Sequence, residues 1–165
     1  MHFSRIQKIA VAAALALSLS AILPAQDALT NALARYEHET DPVRKAKELA
    51  KLGNEQVTLA GKQLKSGDEV GSLHTLEQYR DEVQATFRAL KATGLDAEKK
   101  PAGFKELQIS LRETTRHIDD LIFALPVDKR PFFREIRTDL GQVQNDLIDM
   151  LFPRGPAQKS KKANP

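Results

Sequence analysis

The 165-residue chain has no cysteine, no tryptophan and few aromatics, two tyrosines and seven phenylalanines. Without cysteine there is no disulfide framework, thiolate metal site, cysteine nucleophile or lipid-modified cysteine. So few aromatics leave little from which to build a stacking surface for bases or sugars. No stretch alternates β-branched with polar residues, and no Asn-Gly or Asp-Gly pair marks a hairpin. The eight glycines are scattered. They form neither a phosphate-cradling loop nor a Gly-x-Ser-x-Gly elbow. Neither sign of charge dominates, with 25 basic groups against 22 acidic. The length predicts one domain.

One apolar run stands out. Ile9–Leu23 carries no charge, follows Arg5 and Lys8, and precedes Pro24, Ala25 and the first acid, Asp27. That is the order of a secretory signal, with cleavage expected after Ala25. A run this short covers about 22 Å as a helix, less than a hydrocarbon core of about 30 Å. No later segment is apolar enough to span a membrane. The expected organisation is a signal over 1–25, one helical domain over 26–152 and a basic tail over 153–165. The product is expected in a bacterial periplasm or outside the cell. Signal and tail hold Arg5, Lys8, Arg154, Lys159, Lys161 and Lys162. The isoelectric point near 9.2 therefore reports the two termini. It does not argue for a nucleic-acid partner, and no recognition motif is present.

The body reads as helix throughout. Asp41-Pro42 opens a helix running to about Lys65, an acid cap followed by proline in the first turn. Val43, Ala46, Ala50, Gly53, Val57, Ala60 and Leu64 keep a 3-4 spacing. Leu49, Leu52 and Leu59 widen that stripe to about half the cylinder, enough for two neighbours. Its small residues would let one neighbour approach closely. After Ser66-Gly67-Asp68 a second helix runs to about Ala92, with Leu73, Leu76, Tyr79, Val83, Phe87 and Leu90 inward. Gly94 is a natural stop. A third, about 102–125, uses Phe104, Leu107, Leu111, Thr114, Ile118, Leu121, Ile122 and Leu125. A fourth, about 129–152, is capped by Asp128 and uses Phe133, Ile136, Leu140, Val143, Leu147, Met150 and Leu151. Residues 27–40 add a short helix through Leu29, Leu33 and Tyr36.

Short loops make consecutive helices antiparallel neighbours. The expected fold is all-α, an up-down-up-down bundle of four long helices plus the short N-terminal one. An open stack of helical hairpins is the alternative. Charges favour pairing the last two helices, with Asp119 and Asp120 beside Lys129, Arg130, Arg134 and Arg137. At the other end Lys99, Lys100 and Lys105 would face Asp146 and Asp149.

Histidine and carboxylate groupings are the first places to look for chemistry. Glu113, His117 and Asp120 lie at i, i+4 and i+7, a stripe that could offer three metal ligands from one helix. The stripe lies off the apolar seam, where a solvated surface is the plainer reading. His74 with Glu77 and Asp81, and His38 among Glu37, Glu39 and Asp41, read the same way. No catalytic constellation emerges, and no cofactor is implied.

Basic residues are more suggestive. Arg44, Lys47, Lys51, Lys62 and Lys65 share an outward arc against Glu48 and Glu55. Lys129, Arg130, Arg134 and Arg137 surround Phe132 and Phe133 and could hold an anionic partner. Ile109 and Phe123 lie fourteen residues apart on the third helix, opposite its seam, with Arg116 between them. Either the 27–40 segment or a second protein would cover that face. The reading is an exported non-catalytic helical module acting through another envelope protein or an anionic envelope surface. Its alternative is a small-ligand or metal-binding bundle.

Overall fold

The computed structural model describes residues 23–153. Residues 1–22 of the expected signal and 154–165 of the basic tail lie outside that range. All regular structure among the described residues is α-helical. The helices are α1 (Leu23–His38), α2 (Pro42–Lys65), α3 (Glu69–Ala92), α4 (Phe104–Ala124) and α5 (Arg130–Leu151). The chain is an all-α bundle of four long helices with a shorter one at its N-terminal side. None of the described helices is long and apolar enough to cross a membrane.

Local chemistry sets the helix ends. The Arg44 N–H donates to Asp41 Oδ1 at 2.8 Å, and Pro42 fills the first position, where no donor is needed. The Gly71 N–H donates to Asp68 Oδ1 at 2.9 Å. At α4 the N–H of Gly103 donates to Glu106 Oε2 at 2.6 Å, from a backbone with φ +84°. Asp128 does not cap α5. The residue before that helix is Lys129, with no side-chain cap, and Pro131 in the first turn removes one donor that a cap would serve.

The helices form two antiparallel hairpins, α2/α3 and α4/α5, with α2 against α4 and α3 against α5. Both of these cross-hairpin pairs run parallel. Gly103, at the start of α4, lies against Val43 at the start of α2. Glu69, at the start of α3, reaches Lys129, just before α5, at 3.4 Å. Consecutive helices are thus not always neighbours, because α3 and α4 sit on a diagonal. The 93–103 connection is long enough for that, and its Ala97 is buried in the core. The broad face of α2 takes three neighbours, not two: α1, α3 and α4.

Tyr79 marks the centre. This α3 side chain is fully buried, its ring lies over Gly53 of α2, and its hydroxyl hydrogen-bonds Thr114 Oγ1 of α4 at 2.8 Å. The seams are less apolar than expected. Thr75, Thr114 and Thr115 are buried because each hydroxyl donates to a carbonyl four residues back in its own helix, at 2.9, 2.9 and 2.6 Å. That leaves the methyl groups to pack.

Ion pairs depart from the expected pattern in one place. Arg137 Nε meets Asp119 Oδ1 at 3.0 Å across α4/α5. The Lys99, Lys100 and Lys105 pairing with Asp146 and Asp149 does not form. Lys99 takes Asp96 at 3.1 Å, and Asp146 accepts from Gln142 at 2.9 Å. Asp139 of α5 takes Arg80 at 3.7 Å, because α5 is flanked by α3 as well as by α4.

Candidate functional site

Arg130, Arg134 and Arg137 stand at i, i+4 and i+7, one stripe of α5. Opposite them α4 presents Asp119, Ile122 and Phe123, and the space between is a groove of about 370 Å³. Arg130 donates from Nε to the Leu125 carbonyl at 2.9 Å and from Nη2 to the Phe123 carbonyl at 3.1 Å. Those are end-of-helix carbonyls with no intrahelical partner, so Arg130 braces the α4/α5 turn. Arg137 is held by Asp119. Arg134 is exposed and has no ion pair among the described residues. Three guanidinium groups therefore face one carboxylate.

Of the four residues expected to bind an anion, Lys129 alone lies outside this groove, turned to Glu69. Phe123, expected at a partner surface, joins the arginines instead. Ile109 does not follow it. That side chain borders a separate groove between α2 and α4, with Ala50, Asn54, Glu106, Ser110 and Glu113. Arg116 is exposed between the two. The 27–40 segment does not cover this face, because α1 lies along α2. Its Tyr36 hydroxyl reaches the Glu82 carbonyl at 3.3 Å and Thr86 Oγ1 at 3.1 Å, both on α3. The outward arc of α2 is partly neutralised, Arg44 by Glu39 at 3.2 Å and Lys51 by Glu48 at 2.8 Å.

Glu113, His117 and Asp120 are all exposed on α4. No group of three or more His, Asp or Glu side chains among the described residues could hold a metal ion. The stripe faces solvent, where no second helix adds converging ligands. His74 Nδ1 lies 4.0 Å from Glu77 Oε2, and both are exposed enough to be solvated.

Burial raises three groups, Tyr36, Tyr79 and Glu82. Tyr79 is pushed up to about 12, against a smaller opposing effect of its Thr114 hydrogen bond. Glu82 is raised by desolvation, against the Gln56 amide that donates to it at 2.9 Å, with Glu37 and Asp81 adding to the rise. A carboxyl raised in the folded state stabilises the fold fully only below its ordinary value of 4.5. That contribution is lost as pH rises through the raised value. Glu82→Gln is therefore expected to raise the melting temperature at neutral pH. The gain should vanish in acid, as paired melting curves across that range would show.

No protein family, no curated protein and no solved structure matches the chain.

Proposed function

We propose that this chain is an exported, non-catalytic helical module that works by contact. Its α4/α5 groove holds an anionic group of another envelope protein or of an envelope surface. One observation carries the reading: three arginines and an exposed phenylalanine line one groove that contains a single carboxylate. A guanidinium is a planar fork matched to phosphate and carboxylate oxygens. Arg130 and Arg137 are already fixed by their own contacts, so little rotamer freedom remains to be lost when a ligand arrives. Arg134 is the cation left to close on it.

Tripolyphosphate is a suitable probe, titrated at low ionic strength while backbone amide shifts are followed by NMR. Shifts should concentrate on residues 119–138. Arg134→Gln should weaken binding by about tenfold, the usual range for one charge-assisted hydrogen bond. Binding that is undetectable, or indifferent to Arg134→Gln, would remove the reading. Export has its own check. N-terminal sequencing of the exported protein should begin at Gln26, and recovery of Met1 would refute cleavage.

A further inference from the structure

The turns at 66–68 and 125–129 lie together at one end of the bundle, joined by the Glu69–Lys129 pair. This end exposes bulky apolar side chains. Val70 is 81% exposed, Phe123 82%, Val127 75% and Phe132 57%. They are four of the seven large hydrophobics exposed among the described residues, all within a few residues of these turns. Lys62, Lys65 and Arg134 are exposed at the same end and have no ion pair among the described residues. Of the acids there, Asp68 caps α3 and Glu69 is engaged by Lys129, which leaves Asp128 and, next to Arg134, Glu135.

We infer that this end docks on an anionic phospholipid bilayer, with Phe123, Val127, Phe132 and Val70 entering the acyl boundary and the cations at the phosphates. The inference deepens the groove reading and rests on it, because the anion held by Arg134 becomes a lipid headgroup. Two features favour a bilayer over a protein. The apolar side chains are spread over three helix ends and the 125–129 turn, flanked by unpaired cations, an arrangement that a soft phase accommodates without a complementary surface. Arg130 satisfies the Phe123 and Leu125 carbonyls beside the tip, groups whose burial unbonded in an apolar layer would be costly. The unpaired cations supply attraction to the anionic surface over roughly a Debye length.

The test is co-sedimentation of the exported protein with vesicles of equal parts phosphatidylglycerol and phosphatidylcholine, against phosphatidylcholine alone. Binding is expected to the mixed vesicles only. Arg134→Gln should lower partitioning about fivefold, the effect of one cation near the surface. A Val127→Ser, Phe132→Ser double variant should lower it at least about tenfold, from lost apolar burial. That variant should keep its melting temperature and its tripolyphosphate affinity, since neither residue lines the arginine groove. If tripolyphosphate binds and the mixed vesicles do not, the bilayer inference fails and the groove reading stands, with a protein or a free anion as its ligand. If the double variant partitions like the parent, the tip does not insert and the inference also fails. Loss of both vesicle and tripolyphosphate binding removes both.

Discussion

A Gly53→Leu variant is expected to lose about 3 kcal/mol of stability, the upper end of overpacking penalties. The reason is Tyr79. A Cβ at position 53 would collide with Cε2 of that ring and stand 3.0 Å from its Cζ. The ring cannot swing aside freely, because it is fully buried and its hydroxyl is bonded to Thr114 on the far side of the bundle. In an exposed helix the same change would stabilise, by up to about 1 kcal/mol, through removal of a flexible residue. Urea denaturation therefore decides by sign as well as size. Shortening the obstacle supplies the control. In a Tyr79→Leu background the cost of Gly53→Leu should fall, so a double-mutant cycle should give a coupling well above about 0.5 kcal/mol. Additive effects would show that the ring and the glycine do not constrain each other.

Gly103→Ala should be comparably damaging, about 2–5 kcal/mol, through two independent costs. Its φ of +84° is a region that L side chains rarely adopt, worth about 1–3 kcal/mol of strain. A methyl group there would also lie 2.8 Å from Leu90 Cδ2 and 3.1 Å from the Cα of Val43. The leucine can rotate, but the Val43 backbone belongs to the first turn of α2 and cannot. Gly67 provides the comparison, with a φ of +83° and open space around it. Gly67→Ala should cost only the strain, so the difference between the two melts isolates the close approach of α4 to α2. Equal losses would overturn that account.

Hydrophobic spacing placed the long helices within a few residues, because a 3-4 stripe reports burial directly and Asp41-Pro42 is an explicit start. Which helices touch was less legible. Periodicity says that a face is buried but not by what, so α3 and α4 read as neighbours although they lie on a diagonal. The breadth of the α2 stripe did signal multiple contacts, yet a third helix looks the same in sequence as a wider second one. Gly103 left no signal of its own, since the demand for glycine comes from Val43, remote in the chain. At the candidate site the arginine stripe was visible from i, i+4, i+7 spacing. Lys129, about 100° away from Arg130 on the wheel, could have been separated from it. Phe123 could not be assigned to that groove without knowing that α5 lies beside it. Ile109 and Phe123 are about 40° apart at 3.6 residues per turn, and α4 has α2 on one flank and α5 on the other. That modest angle is enough to send the two side chains to different grooves.

The two buried tyrosines give the molecule a built-in optical readout. In a chain without tryptophan, near-ultraviolet emission comes chiefly from Tyr36 and Tyr79. They sit on different joints: Tyr36 fastens α1 to α3, and Tyr79 joins the α2/α3 hairpin to α4. A Tyr36→Phe chain leaves Tyr79 as the tyrosine reporting separation of the hairpins, and Tyr79→Phe leaves Tyr36 reporting release of α1. The same pair reads out in alkali. Burial raises both phenols, Tyr79 to about 12, so in a Tyr36→Phe chain phenolate absorbance near the ordinary value of 10.0 marks chains in which the Tyr79 joint has already opened. Detachment of the N-terminal helix and opening of the core can thus be timed separately, without a label.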